Sequence, residues 1–402
     1  MWLHDAHGSY AGIPVTSESA SSLLKMAAAG RFPQSDHGAK GPLSMAERRA
    51  HVLPGKLIVG EGFQGFSLPL VHSEALWSCG VAGPVVAIIL RMGPRQLVWL
   101  LQGSTGSAEA AEDAARQLWL SLGLHGAMLP DLVQSGDVKI ADVLGSGTFG
   151  KVMLGAWRSP LSCQLEQLAV KELSHREARL EVELLLSVQG HNGVAQFASW
   201  FAAPTAASSG VDKCCIATLL CSGGCLYSRV MDCGPYMEAD AIVLGHGLAS
   251  ALAHIHARGV VHRDLKAENV LLNGGGRPVL IDFGLAARLE DSQAMTQQCG
   301  SLGYTAPEVL SGGAYSEKVD VFSAAVVLYF AATQAMPWDA ATREAVWAST
   351  LQCKINFNRP GLVHKSVKWQ ELLGAMFSKC PQKRPEASEL VVMHQALHSC
   401  AQ

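Results

Sequence analysis

The sequence predicts an α+β chain, and three observations carry that expectation. Strand-like segments crowd between Val138 and Leu220 and bracket a glycine-rich turn. Beyond Gly223-Gly224 the chain turns mainly helical. Before residue 136 a composition shift separates a small α/β region, with 1–50 expected to be disordered and 51–135 expected to fold.

Length and composition bound the rest. A chain of 402 residues allows two or three domains. A net charge of −3 argues against nucleic-acid or acidic-membrane partners. Only 16% of residues are charged, but much of the apolar excess is Ala and Gly. The most apolar runs are Val81–Leu90, Ala241–Val261 and Val319–Ala332. The first is too short to span a bilayer, and the others are broken by His, Gly or polar residues, so no transmembrane segment is expected. Met1-Trp2-Leu3-His4-Asp5 lacks a basic start followed by an apolar run, so no signal peptide is expected. The 11 cysteines form no C-x-x-C pair, which favours reduced thiols in the cytoplasm, with the nucleus as the alternative.

Taken in order, residues 1–50 mix Ser, Ala, Gly, His and Pro with little periodicity. Val85–Leu90 and Arg95–Gln102 read as strands. Ala108–Leu122 reads as a helix capped by Ser107, with Glu109 and Glu112 in its first turns and Ala111, Ala115, Leu118 and Leu122 on one face. Its simplest role is to cover a neighbouring sheet. Val138–Leu144 reads as a strand, and a strand carrying Ala169-Val170-Lys171 follows the glycine turn. Glu172–Val188 is helical in pattern, with Leu180, Leu184 and Val188 at four-residue spacing. Phe197–Phe201 and Cys215–Leu220 are the next strands, with a small-residue loop across Ala202–Lys213 between them.

Gly145-x-Gly147-x-x-Gly150-x-Val152 is weak evidence alone, because dinucleotide-binding folds use similar spacing. There the loop opens a helix. Here Lys151–Trp157 continues as a strand, giving a hairpin whose backbone amides can cover phosphate. Val261-His262-Arg263-Asp264-Leu265-Lys266-Ala267-Glu268-Asn269 follows, then Asp282-Phe283-Gly284, then Ala306-Pro307-Glu308. Read singly, an Asp or Asn is far more often a turn or cap residue. The ordered set, from about Val138 to about Ala396, resembles the eukaryotic protein kinases.

That resemblance implies a two-lobed fold over 136–400: a small antiparallel β lobe with one helix, then a large mainly helical lobe, preceded by the small α/β region. It implies ATP and Mg2+. Asp264 would be the catalytic base, with Lys266 beside it. Asn269 and Asp282 would be the metal ligands. Lys171 would hold the nucleotide phosphates, paired with Glu181, or less plausibly with Glu177 or Glu183. Nucleotide contacts are implied for Leu144, Gly145, Ser146, Gly147, Gly150, Val152 and Ala169, for Thr218 in the gatekeeper position, and for Leu219 and Cys221 in the hinge.

Lys266 and the segment Cys299–Glu308 match the serine/threonine pattern, with Ser301 in place of the usual threonine, so the implied partners are protein substrates with Ser or Thr hydroxyls. Arg263 implies docking of a phosphorylated activation segment, with Thr296 the best-placed acceptor and Ser292 and Ser301 behind it. Glu308 with Arg384, and Asp320, match structural residues of the family. Phe322 and Ala325 depart from its usual Trp and Gly. Glu268 matches a position where several family members meet a substrate arginine. The rivals are a nucleotide-binding pseudokinase scaffold and a small-molecule kinase; the first lacks support because Lys171, Asp264, Asn269 and Asp282 are all present, and the second because such enzymes usually lack A-P-E.

Overall fold

The computed structural model describes strand segments between residues 9 and 102, scattered residues from 116 to 132, and 138–401 apart from 148–149, 159–163, 204–212 and 339. It divides into two compact units: Met1–Ser187 with Phe197–Leu220, and Val188–Gln196 with Cys221–Gln402.

Among the described residues, the first unit begins with eight strands. These are β1 (Ser9–Ala11), β2 (Ile13–Thr16), β3 (Arg49–Leu53), β4 (Lys56–Val59), β5 (Phe66–Pro69), β6 (Glu74–Ser78), β7 (Val85–Met92) and β8 (Arg95–Gln102). They form two four-stranded sheets, ordered β1-β3-β4-β5 and β2-β8-β7-β6. The two strands expected from the sequence are the β7–β8 hairpin. The structure departs from the expected disorder of 1–50 at β1, β2 and the start of β3. These strands are 3 to 5 residues long, too short to show an alternation. Of the expected helix Ala108–Leu122, residues 116, 119, 120 and 122 are helical, as is Gly123; the other positions lie outside the described residues.

The same unit continues with β9 (Val138–Gly147), β10 (Gly150–Arg158), β11 (Leu165–Ser174), helix α1 (His175–Ser187), β12 (Phe197–Ala202) and β13 (Lys213–Leu219). The sheet order is β12-β13-β11-β10-β9, antiparallel throughout. Helix α1 starts three residues later than the pattern suggests, because Glu172–Ser174 stay paired with Lys213–Cys215 in the ladder. Most of the expected loop between β12 and β13 falls at 204–212, outside the described residues.

The β12 edge is covered rather than open. Met128 forms a parallel bridge with Trp200. Leu129 N–H donates to Trp200 O at 3.0 Å, and Trp200 Nε1 donates to Gly126 O at 3.0 Å. On its other side Met128 exchanges backbone bonds with Ser73 O and Ala75 N. Trp119, 1% exposed, donates Nε1 to Ala75 O at 2.7 Å. An uncovered edge is a template for unwanted strand pairing, and these contacts remove it.

The second unit is mainly helical: α2 (Leu226–Cys233), α3 (Glu238–His256), α4 (Pro307–Leu310), α5 (Lys318–Thr333), α6 (Arg343–Gln352), α7 (Pro360–Val363), α8 (Val367–Met376) and α9 (Ala387–Ala401). Every residue from Val319 to Ala332 in α5 is buried, as expected of a helix apolar on all sides. Helices α3 and α9 pack closely, with His394 of α9 over Gly245 of α3. Two ladders hold the loops that matter: β14 (Val260–Val261) with β17 (Ala287–Arg288), and β15 (Val270–Leu272) with β16 (Pro278–Leu280).

Candidate functional site

The expected site residues are distributed over both units, and each set is organised within its own unit. In the first, register selects a face. Val152 lies opposite Lys171, Leu154 opposite Ala169, and Ala169 opposite Thr218. Directly paired residues share a side of the sheet, so Val152, Ala169, Lys171 and Thr218 line one face. The alternate residues Leu168 and Val170 are fully buried on the other.

Gly147 pairs with Gly150 at the hairpin tip. Gly150 has φ +121°, and a Cβ there would lie 2.3 Å from Glu172 O, so only glycine fits. Leu144 and Gly145 are exposed, and Ser146 and Gly147 complete β9 as backbone. Leu219 ends β13, and Leu220 N–H donates to Gln167 O at 2.9 Å. Cys221 begins the next stretch of the second unit as a half-buried thiol whose pKa burial pushes up.

Lys171 Nζ lies 2.7 Å from Glu181 Oε2, and Glu181 is 6% exposed. The choice among three glutamates resolves locally. Glu177 accepts from Ser174 N and Oγ, while its own N–H donates back to Ser174 Oγ. That is a capping box at the start of α1. The Ser174 bonds hold the Glu177 carboxyl below its usual pKa. Glu183 is exposed.

In the second unit Asp264 is the centre of a tight cluster. Its carboxylate is 4% exposed. Oδ1 accepts from Ser301 Oγ at 2.7 Å, and Oδ2 accepts from Lys266 Nζ at 2.9 Å and Asn269 Nδ2 at 3.1 Å. Lys266 Nζ also reaches Ser301 Oγ at 2.9 Å. Asn269 Nδ2 donates to Asp264 O at 2.9 Å as well, so the amide meets Asp264 through its nitrogen. Ser301 was expected only as a substitute for threonine or a reserve phosphate acceptor; here it touches both Asp264 and Lys266.

The β15–β16 hairpin brings Asn269 and Asp282 together. Asn269 precedes β15, Asp282 follows β16 by two residues, and Ile281 N–H donates to Asn269 O at 3.1 Å. Asp282 has φ +64° and accepts from Gly284 N–H at 3.3 Å. Phe283 is 1% exposed, with its ring 5.1 Å from that of His262. His262 accepts at Nδ1 from Asp264 N–H (3.3 Å), which assigns Nε2 as the donor to Ile281 O (3.0 Å).

Asp320, fully buried, holds this loop by its backbone. Oδ2 accepts from His262 N–H at 2.8 Å, Oδ1 from Arg263 N–H at 2.9 Å, and His256 Nε2 lies 2.9 Å from Oδ2. Burial alone would raise the Asp320 pKa, but the His256 bond and the neighbouring histidines and amides outweigh it and hold the carboxyl low. These bonds sustain Arg263 at φ +65°, a conformation costly for a residue with a Cβ. Gly300 lets the following segment approach: a Cβ there would sit 2.8 Å from Arg263 O.

Glu308 and Arg384 form a bidentate pair, at 2.5 and 2.8 Å. Arg384 also donates to Ser378 O at 2.7 Å and Lys318 O at 3.1 Å, and its guanidinium lies 4.9 Å over the Phe322 ring. The Phe that departs from the family's usual tryptophan is thus fully used in packing.

The sequence pattern described as Protein kinase domain matches residues 138–395. The chain is similar to serine/threonine-protein kinase PEPKR2 of Arabidopsis thaliana, 33% identical over 251 residues, covering 62% of this chain and 51% of the relative. It is similar to sperm motility kinase 2B of Mus musculus, 34% identical over 174 residues, covering 43% of this chain and 35% of the relative. Calcium-dependent protein kinase 7 of Oryza sativa subsp. japonica is 31% identical over 257 residues, covering 62% of this chain and 46% of the relative. The chain therefore spans about half or less of the length of these relatives.

Proposed function

The chain belongs to the protein kinase family, and we propose that it transfers the ATP γ-phosphoryl group to Ser or Thr hydroxyls of protein substrates in a Mg2+-dependent reaction. The observation that carries this reading is the Asp264 cluster: a buried carboxylate oriented by Lys266, Asn269 and Ser301. Asp264 accepts the proton of the substrate hydroxyl. Lys266 offsets negative charge beside it and steadies the transferred group. Lys171, fixed by Glu181, binds nucleotide phosphates through the face it shares with Val152, Ala169 and Thr218.

The donor set fits a hard cation: a carboxylate from Asp282 and an amide oxygen from Asn269, held next to each other by one hairpin. Bound magnesium would neutralise charge on the phosphoryl oxygens, and Asp282 and Asn269 would hold it. Phosphoryl transfer relies on positioning and electrostatics, so loss of either carboxylate should cost several kcal/mol in the barrier, on the order of 10³-fold or more. The test is transfer of labelled phosphate from ATP to a generic Ser/Thr protein substrate, with Asp264→Asn and Asp282→Asn alongside. Full activity in either variant would overturn the residue roles. No phosphotransfer by the unaltered protein, despite ATP binding, would favour a pseudokinase.

Glu268, exposed beside Asn269, is offered as a recognition carboxylate for an arginine upstream of the acceptor. A peptide array without Arg enrichment two or three residues before the acceptor would refute it. The region before residue 136 is read as a cover for the β12 edge, supported by the Met128 and Gly126 bonds. Free thiols at Cys221, Cys225 and Cys353 accord with a reducing compartment. No helix among the described residues is long and apolar enough to cross a membrane.

A further inference from the structure

Arg263 would ordinarily be expected to wait for a phosphate, yet its guanidinium is engaged within the chain. Nε donates to Leu285 O at 2.6 Å. Nη1 donates to Ala294 O at 2.5 Å and to Tyr315 Oη at 3.2 Å. The Tyr315 hydroxyl lies 3.1 Å from Ala294 O and 2.8 Å from Gln297 O, so it can serve either as donor. Cys299 Sγ is 3.7 Å from the same hydroxyl. Tyr315 N–H donates to Met295 O at 3.0 Å, and Met295 is 3% exposed.

The segment 294–299 is thus clasped at four residues by one tyrosine. Thr296, in the middle of that clasp, is exposed and spends its hydroxyl on Gln293 O at 2.9 Å. Arg263 is adjacent to Asp264, and its backbone N–H is fixed by Asp320. The guanidinium held by Tyr315, Ala294 O and Leu285 O thus belongs to the residue next to the proposed base.

We propose that Tyr315 is a positioning residue for phosphoryl transfer: its phenol and the Ala294 carbonyl take the place on Arg263 that a phosphate at Thr296 would occupy, so the segment is set for turnover without phosphorylation. Burial pushes the phenol up to about 12, ahead of the opposing Arg263 bond, so it stays neutral and keeps the proton it donates. The inference rests on the kinase reading of the preceding subsection. It differs from the expectation that Thr296 phosphate docks on Arg263, because that anchor already has partners.

The test uses the full chain treated with phosphatase, with zero phosphates verified by intact mass after removal of the phosphatase. Initial rates with ATP and a protein substrate are compared with the phosphorylated form, and hydrogen exchange is followed over 292–300. Dephosphorylated protein should keep at least half its activity, and Thr296→Ala should match it. Tyr315→Phe keeps the ring and removes only the hydroxyl. It should lower kcat tenfold or more, leave KM for ATP within about twofold, and speed exchange across 292–300. Thr296→Glu should recover a substantial part of that loss in the Tyr315→Phe background and do nothing in the unaltered protein. A merely structural tyrosine would not confer this new dependence on charge at 296.

Two results would overturn the proposal: a tenfold loss of activity on dephosphorylation alone, or unchanged exchange and kcat in Tyr315→Phe. The first needs no variant, so a folding failure of Tyr315→Phe leaves the question answerable. If no protein substrate is phosphorylated at all, the kinase reading fails, while the exchange comparison still reports whether Tyr315 holds the segment.

Discussion

Glu308→Ala isolates a charge that the fold has fully desolvated. The Arg384 side chain is 0% exposed and that of Glu308 14%. Removing Glu308 deletes two charge-assisted hydrogen bonds, which at the lower end of about 1.5 kcal/mol each amount to about 3 kcal/mol. Stranding one member of a buried ion pair typically costs 3–5 kcal/mol, so the two routes agree near about 3. The lower end applies because Arg384 keeps Ser378 O, Lys318 O and the Phe322 face. For a domain of this size each kcal/mol shifts Tm by roughly 2–4 °C, so the expected fall is about 6–12 °C. Thermal unfolding followed by circular dichroism reads it directly. The double variant Glu308→Leu with Arg384→Met should be less damaged than Glu308→Ala alone, since no unpaired charge is left behind. A Tm within about 2 °C of the unaltered protein for Glu308→Ala, or a double variant clearly worse than the single one, would refute the reasoning.

Ser301→Ala should lower kcat by about tenfold, roughly 1.4 kcal/mol, because Asp264 and Lys266 lose a shared partner, while Ser301→Thr should keep most of the rate; equal kcat for all three proteins would contradict this. His394 is 1% exposed, neither ring nitrogen has a hydrogen-bond partner among the described residues, and burial, with His246 second, depresses its pKa to about 4. The folded state therefore requires the neutral ring. Its contribution is complete above the unfolded pKa of about 6.5 and is lost as pH falls from there toward 4, by up to about 3 kcal/mol. His394→Leu should flatten urea-unfolding stability across that window, and an unchanged pH slope would count against it. A Gly361→Ala side chain would lie 2.0 Å from Ala332 O, so Tm should drop by several degrees, as overpacking of about 1–3 kcal/mol implies.

Much of the candidate site was legible because the proposed chemistry would need particular residues at short, fixed spacings. Lys266 and Asn269 lie two and five residues from Asp264, and both donate to its carboxylate. The hairpin that follows sets Asp282 beside Asn269. Glu181 could be favoured from sequence, but its separation from Glu177 depended on a cap whose serine had been assigned to the helix. Ser301 and Tyr315 were harder, being 37 and 52 residues from Asp264 and Arg263, which they touch. Nothing in the local pattern of Ala314-Tyr315-Ser316 announces a partner that far away. The N-terminal strands were missed for a different reason. Pairs such as Tyr10 with Ala50 join short, weakly patterned segments across some forty residues, so tertiary pairing rather than local alternation makes them strands.

Asp264 is proposed as the base of a magnesium-dependent Ser/Thr phosphotransferase. The most direct measurement is mass-spectrometric site mapping of a protein substrate after incubation with ATP and Mg2+, using the unaltered chain and Asp264→Asn purified identically. New phosphate should appear on Ser or Thr with the unaltered chain and be lost on adding a chelator, and Asp264→Asn should be at least 10³-fold slower at an unchanged Tm. Equal phosphate incorporation by the two proteins, or none by either despite intact folding, would contradict it.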